Sequence, residues 1–153
     1  MKHVLFVCLG NVCRSAMAEA IFKRIVKEKH LQDRIQIKSA GTSDEEQGHY
    51  PLPEVRSVLR QHGLDPSKLH AKQITIQDIN WADYIIGMDH QNILNLKRIT
   101  PANQQSKIHL CLNINPKLRN QEIPDPWYTR RFAFTYDVLN QNLPLWLNYI
   151  VQN

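Results

Sequence analysis

The chain has 153 residues, of which 42% are hydrophobic, and a formal net charge of +5 at pH 7. That length suits one domain, residues 1–153, with a buried core, and the composition excludes a disordered chain. No segment approaches the roughly 18 to 20 apolar residues of a membrane span, and no basic stripe carries interleaved aromatic residues. We therefore expect a cytoplasmic monomer that binds neither membrane nor nucleic acid.

The cysteines and histidines also exclude common kinds of site. Three cysteines, an odd number, argue against a structural disulfide framework. The seven histidines are scattered, and no pair of cysteines or histidines has the spacing of a zinc site. We predict no metal and no cofactor.

The first elements in chain order are a strand, a loop and a helix. Val4–Val7 is a continuous apolar run, typical of a strand buried on both faces. After the loop, apolar residues recur at helical spacing. Ser15 is predicted to cap this helix, with Glu19 in its first turn.

The later segments continue to alternate between strands and helices. Pro53 near the start of one helix and Gly63 beyond its end fit common helix boundaries. A C-terminal helix is expected to kink or break at Pro144. The intervening predictions are a strand at IQIKSAG, a helix at PEVRSVLRQHG, a short capped helix at TIQDI, a buried strand at DYIIGM, a helix at DHQNILNLKRI and a last strand at KIHLCL. The alternation predicts an α/β fold with a doubly wound parallel sheet, whose ligands bind at the carboxyl ends of the strands.

The loop after the first strand combines residue types that bind an anion. Backbone N–H groups before a helix can form a nest for phosphate, and Gly10 and Asn11 tolerate the left-handed backbone that such a loop needs. Arg14 offers a planar fork for two phosphate oxygens. The same donors stabilise a thiolate, so we predict that Cys8 is a nucleophile beneath a bound phosphate, with Ser15 donating to its sulfur. The GxxxxGK[ST] pattern of nucleotide-binding loops is absent.

A second motif, EIPDPWYTRR, supplies an acid. Phosphoryl transfer to sulfur needs a proton donor for the leaving oxygen, and Asp125 lies between two prolines that stiffen its loop. Trp127 and Tyr128 follow it and suit an aromatic ligand. By itself the motif also fits a turn with core aromatics, but its pairing with the Cys8–Arg14 loop favours the catalytic interpretation.

Several motifs, in this order, resemble the low-molecular-weight protein tyrosine phosphatases: VCLGNVCRSAMAEAIF, SAGTSD, HGLD, DYIIGMDHQN and PDPWY. The resemblance extends from Val4 to about Tyr149. It implies a four-stranded parallel sheet in the order 2-1-3-4, with the phosphate-binding loop between the first strand and the first helix. It also implies hydrolysis of phosphotyrosine-containing proteins through a cysteinyl-phosphate, with inorganic phosphate as product and inhibitor.

The resemblance assigns a role to each matching residue. Cys8 becomes the nucleophile, Arg14 the transition-state clamp and Asp125 the general acid. The predicted phosphate-binding loop consists of Leu9, Gly10, Asn11, Val12, Cys13, Arg14 and Ser15. The residues that would support this loop are Asn11, Ser15 and Ser39. The predicted substrate pocket consists of Leu9, Val12, Glu45, Trp127 and Tyr128.

Cys13 has two interpretations. It is either a small packing residue or a redox partner that forms a reversible disulfide with Cys8, and the resemblance supports the second.

Three departures from the family pattern affect the site. Ala16 replaces a common proline, and Glu45 stands where many members carry an aromatic residue. The supporting HxAR motif appears as HAK, His70 to Lys72, which leaves open whether His70 supports the loop.

Three alternatives remain at the level of sequence. Phosphoarginine phosphatases resemble this loop but typically carry threonine at the position of Val12, whose apolar side chain favours a phenyl ring. A thiol-dependent arsenate reductase needs a downstream cysteine pair, and only Cys111 is available. A non-hydrolytic phosphate carrier would not need Asp125.

Overall fold

The sheet has four parallel strands, whose order across the sheet is second, first, third and fourth in the chain, as predicted. The computed structural model describes residues 1–153. Its strands are β1 (Lys2–Cys8), β2 (Ile35–Gly41), β3 (Tyr84–Gly87) and β4 (Ile108–Leu110). Because β1 pairs with β2 on one side and with β3 on the other, its carboxyl end lies where the strand order reverses, the usual place for a ligand.

Six α-helices accompany the sheet. They are α1 (Arg14–Glu28), α2 (Pro53–Gln61), α3 (Ile76–Trp81), α4 (His90–Ile99), α5 (Pro126–Thr129) and α6 (Phe132–Gln152). Short 3-10 helices occupy Ala102–Lys107, Cys111–Ile114 and Pro116–Leu118. Helix α5 lies in the DPWY segment, for which the sequence predicted only a stiffened loop. None of the helices is both long enough and apolar enough to cross a membrane.

The core lies on both faces of the sheet, and β1 contributes to each. Val4 and Phe6 belong to the larger cluster, together with buried residues of α1 and α6. Leu5 and Val7 belong to a smaller cluster on the other face, with residues of α3 and α4. All four side chains are fully buried, which confirms the strand that was predicted from the continuous apolar run.

The predicted cap of α1 is wrong. Cys13 occupies the N-cap position, and no side chain caps the helix. Ser15 is buried inside the first turn, because its hydroxyl is used in contacts with the loop rather than with the helix backbone. Glu19 lies beyond that turn and accepts a hydrogen bond from Ser39 Oγ at 2.5 Å.

Of the kink or break predicted at Pro144, the break does not occur, since α6 is continuous from Phe132 to Gln152. The proline costs the helix one N–H donor and crowds the preceding turn, but the neighbouring side chains of Leu143 and Leu147 are buried against the core. Tertiary packing therefore holds the helix through the proline. The last strand ends before Cys111, which begins a short 3-10 helix and is completely buried.

Candidate active site

The loop between β1 and α1 is shaped by one left-handed residue. Asn11 has a φ of 59°, whereas Gly10 is not in the left-handed region. Of the two residues proposed for this conformation, only Asn11 adopts it. Asparagine tolerates this conformation better than most residues.

The Asn11 side chain holds the loop through three hydrogen bonds. Its Nδ2 donates to Ser15 Oγ at 2.7 Å and to Ser39 Oγ at 3.0 Å. Its Oδ1 accepts from the backbone N–H of Lys72 at 3.1 Å. Glu19 extends the network, because its carboxylate accepts from Ser39. The structure thus brings Asn11, Ser15 and Ser39 together, and adds Glu19 and the Lys72 backbone, neither of which was predicted to contact this network.

His70 does not take part in this network. It is exposed, and its ring lies 4.7 Å from that of Tyr50. Lys72 anchors the segment instead, since its Nζ binds both carboxylate oxygens of Asp78, at 2.9 and 2.8 Å. Ala16, which replaces the common proline, is buried in the first turn of α1.

The end of β2 lies directly against the loop. A Cβ atom on Gly41 would lie 2.7 Å from the carbonyl oxygen of Leu9. Next to it, Thr42 N–H donates to the Cys8 carbonyl at 3.0 Å and Ser43 N–H donates to the Leu9 carbonyl at 2.9 Å. Gly41 is therefore required by close backbone approach, a role that its neighbours in sequence do not reveal.

Cys8 lies at the base of the loop, with 3% of its surface exposed. Its Sγ is 3.0 Å from Ser15 Oγ. Because Ser15 Oγ accepts a hydrogen bond from Asn11, its own proton remains available for the sulfur. Ser15 can therefore stabilise a thiolate at Cys8.

One nitrogen of the Arg14 guanidinium is fully used in hydrogen bonds, whereas the opposite edge of the group is not. Its Nη1 donates to Asp89 Oδ2 at 2.7 Å and to the carbonyl oxygen of Ile123 at 2.8 Å. Its buried Nε has no hydrogen-bond partner, and Nη2 is 3.4 Å from Asp125 Oδ2. Nε and Nη2 form one edge of the guanidinium, so this edge can donate to two further oxygens.

The groups around Arg14 favour its positively charged form. Burial disfavours the guanidinium, but the nearby negative groups of Cys8, Asp125 and Asp89 outweigh burial and raise the pKa of Arg14. Asp89 also caps α4, where its Oδ1 accepts from Asn92 N–H at 2.7 Å. The sequence analysis missed Asp89, although it lies in the quoted motif DYIIGMDHQN.

Asp125 is placed by the start of α5. Its Oδ1 accepts from the backbone N–H of Trp127 at 3.0 Å, and Pro126 begins the helix. Its Oδ2 faces Arg14 Nη2, and the side chain is 20% exposed. One carboxylate oxygen is thus used to fix the residue, and the other lies beside the guanidinium.

A cleft at the carboxyl end of β1 is lined by both Cys8 and Asp125. Trp127 is 44% exposed and Tyr128 is 75% exposed. Neither side chain therefore packs in the core, as the interpretation of this motif as a turn with core aromatics would require. The cleft also includes Glu46, which the sequence analysis did not select. The residues that line it are Cys8, Leu9, Gly10, Val12, Cys13, Ser43, Glu45, Glu46, Asp125, Trp127 and Tyr128. The structure therefore brings all five residues of the predicted substrate pocket to the proposed nucleophile.

Cys13 is buried beside the same cleft and is a free thiol. Burial, and secondarily the negative charge of Cys8, raises the pKa of Cys13 well above its ordinary value. It therefore stays protonated, which separates its chemistry from that of a nucleophilic thiolate.

The chain is similar to known proteins over most of its length. A family model described as low molecular weight phosphotyrosine protein phosphatase matches residues 3–153. The low molecular weight phosphotyrosine protein phosphatase of Saccharomyces cerevisiae is 42% identical over 139 residues, which cover 88% of this chain and 84% of that protein. The low molecular weight protein-tyrosine-phosphatase YfkJ of Bacillus subtilis is 39% identical over 132 residues, 86% of this chain and 85% of that one.

Two solved structures with similar folds carry different descriptions. The crystal structure of YfkJ from Bacillus subtilis superposes with a TM-score of 0.95 at 35% identity and covers 99% of this chain and 96% of that one. The structure of DARP, described as a drosophila arginine phosphatase, superposes with a TM-score of 0.87 at 34% identity and covers 98% of each chain.

Proposed function

Because the chain belongs to the low-molecular-weight protein tyrosine phosphatase family, we propose that it hydrolyses phosphotyrosine in proteins through a phosphate ester of Cys8. Members of this family are hydrolases. Cys8 is the nucleophile, Arg14 the clamp on the phosphate and Asp125 the acid. No cofactor takes part in the proposed reaction.

The observation that carries this proposal is the open edge of Arg14. Asp89 and the Ile123 carbonyl hold Nη1, while Nε has no hydrogen-bond partner despite its burial. An unpaired buried donor is costly unless a ligand satisfies it. Two non-bridging phosphate oxygens fit a bidentate edge formed by Nε and Nη2 and leave the phosphorus above Cys8.

The reaction then proceeds in two displacements. The Cys8 thiolate attacks phosphorus and forms the S–P bond, the bond to the tyrosine oxygen breaks, and Asp125 gives that oxygen its proton. Water next attacks the cysteinyl-phosphate, Asp125 takes a proton from it, and the S–P bond breaks. Inorganic phosphate leaves and the thiolate returns, stabilised by Ser15 Oγ. Because phosphate occupies the same nest, it is also a competitive inhibitor.

The cleft walls favour an aromatic leaving group. Trp127 and Tyr128 flank the tyrosine ring, and Leu9 and Val12 lie beneath it. All four side chains offer apolar surface at the mouth of the phosphate nest.

Phosphoarginine is the second candidate substrate. The similarity to the drosophila arginine phosphatase favours it, whereas the apolar Val12 in the cleft favours the phenyl ring of phosphotyrosine. An arsenate reductase is less compatible, because Cys111 is completely buried and has no second downstream cysteine as a partner. A non-hydrolytic carrier gives no role to Asp125 beside Arg14.

A panel of phosphopeptides tests the substrate class. The sequence around the modified residue is kept constant while phosphotyrosine, phosphoserine and phosphoarginine are exchanged. We expect the highest kcat/KM for phosphotyrosine, because only phosphotyrosine presents an aromatic ring to Val12, Trp127 and Tyr128. A higher kcat/KM for phosphoarginine would overturn the assignment, and the absence of turnover with all three would contradict a phosphatase.

The cellular setting and redox control complete the proposal. All three cysteines are free, which suits a reducing compartment such as the cytoplasm. The enzyme acts there as a monomer. Peroxide oxidises Cys8 to a sulfenic acid, which removes the thiolate charge that helps to keep Cys13 protonated. Cys13 then loses its proton and attacks the Cys8 sulfur, a disulfide forms, and the sulfenic oxygen leaves as water.

A further inference from the structure

The cleft is acidic, although the chain as a whole is basic. Glu45, Glu46 and Asp125 are the three carboxylates among the residues that line it. No lysine, arginine or histidine lines the cleft. The side chains at the mouth of the site therefore carry negative charge, although the whole chain has a net charge of +5.

The negative charge of Glu45 is uncompensated. Glu46 pairs with His49 at 2.8 Å, and Glu54 pairs with Arg130. Glu45 has no basic group within salt-bridge distance, and its backbone N–H donates to Ser43 Oγ at 3.1 Å, which fixes the turn that carries it. An unpaired carboxylate at the mouth repels an approaching phosphate dianion. A substrate that brings a cation of its own removes that penalty.

The aromatic side chains of the cleft also accept a cation. The exposed faces of Trp127 and Tyr128 attract a guanidinium or ammonium group that reaches them. A basic side chain next to the phosphotyrosine can extend along the mouth of the cleft that Glu45 and these rings line. An acidic side chain in that place meets only repulsion.

We propose that Glu45 is a specificity-determining residue, which makes the enzyme prefer phosphotyrosine flanked by lysine or arginine. Glu46 adds to this preference less strongly, because His49 offsets its charge. The inference rests on the proposed function, since it concerns the leaving group of the same reaction.

Two phosphotyrosine peptides that differ only at the residues flanking the phosphotyrosine test the proposal. One carries lysine at those positions and the other carries glutamate. At low ionic strength we expect kcat/KM to be roughly threefold to tenfold higher for the lysine peptide, because one peptide is attracted and the other repelled and each effect of an exposed charge is modest. Added salt should reduce the ratio, because the charges lie in solvent.

Glu45→Gln should remove most of the preference and leave only the smaller part that Glu46 and the aromatic rings contribute. Asp44→Asn is the matched control, because Asp44 is the neighbouring exposed carboxylate and does not line the cleft, so it should retain most of the preference. Turnover of p-nitrophenyl phosphate, which has no flanking residues, reports separately on the catalytic groups in each variant.

Two results would overturn this inference and leave the proposed function intact. They are equal kcat/KM for the two peptides in the wild type, or a preference that persists undiminished in Glu45→Gln. If neither peptide is hydrolysed while p-nitrophenyl phosphate is, the phosphotyrosine assignment itself fails and the inference fails with it.

Discussion

At the scale of single residues, the site depends on side chains that use one group for support and another for chemistry. Asp125 Oδ1 accepts from Trp127 N–H, while Oδ2 faces Arg14. Arg14 is divided in the same way, since Nη1 is held by Asp89 and Nε has no partner. When one atom of a side chain is held by a hydrogen bond, its reactive atom is already in position. Less rearrangement of the site is then needed to reach the transition state.

Asp125→Asn tests whether one carboxylate oxygen positions the residue while the other gives the proton to the leaving group. The amide oxygen can still accept from Trp127 N–H, but the amide cannot give a proton to the leaving oxygen. We expect kcat to fall by about 10²–10⁴, with the largest loss for phosphate esters of weakly acidic phenols. Asp137→Asn, at an exposed position on α6, is the control and should behave as the wild type. Equal losses across a series of leaving groups would assign Asp125 a structural role only.

Cys13→Ala tests the redox proposal. After matched exposure to peroxide, dithiothreitol should restore most of the starting activity of the wild type, because Cys13 captures oxidised Cys8 as a disulfide. The variant should recover much less of its own starting activity, since Cys8 proceeds to the irreversible sulfinic acid. Bound phosphate should slow the loss in both proteins. Equal recovery would make Cys13 a packing residue.

At the scale of elements, the phosphate-binding loop is held by segments that are distant in sequence. The end of β2 contacts it through Gly41, the segment before α3 through the Lys72 backbone, and the start of α4 through Asp89. The capping box of α3 contributes, because Asp78 both accepts from Thr75 N–H and binds Lys72 Nζ. The loop is therefore a product of several element termini that meet at one edge of the sheet.

Gly41→Ala tests this dependence on a neighbouring strand. Its new Cβ would lie 2.7 Å from the Leu9 carbonyl and 3.2 Å from Asn11 N, so the loop backbone must move. We expect the free energy of unfolding to fall by about 1–3 kcal/mol and kcat/KM to fall at least tenfold.

Gly87→Ala is the matched control for this substitution. There the added Cβ first meets the Cδ1 methyl of Ile93 at 2.9 Å, the end of a side chain that can rotate. The control should lose stability but keep most of its kcat/KM at a temperature well below unfolding. Similar kcat/KM losses in the two variants would show that the contact of Gly41 with the loop is not special.

At the scale of the whole molecule, local pattern predicted the elements well and their contacts poorly. Val4–Val7 is a recognisable strand because burial on both faces leaves a continuous apolar run, and the short helix at TIQDI is recognisable from its capping residues. Such signals lie within a few neighbouring residues. They are sufficient for the alternation that defines this α/β sheet.

The errors arise where tertiary contacts override local preference. Ser15 is a good capping residue by type, but its hydroxyl contacts Cys8 and Asn11 instead. Pro144 is a helix breaker by type, yet packing of its neighbours keeps α6 continuous. Asp89 and Glu19 carry no local signal of their role, because each supports the loop from another element, Asp89 through Arg14 and Glu19 through Ser39.

The claim that Cys8 carries the phosphoryl group is tested most directly by trapping. The enzyme is quenched during turnover of a phosphotyrosine peptide, digested, and analysed by mass spectrometry, with Cys8→Ser treated in parallel. We predict phosphate on the peptide that contains Cys8 in the wild type. We predict no turnover in Cys8→Ser, although that variant should still bind inorganic phosphate through the backbone N–H groups and Arg14. Phosphate trapped on any other residue, or substantial turnover by Cys8→Ser, would contradict the assignment of Cys8 as the nucleophile.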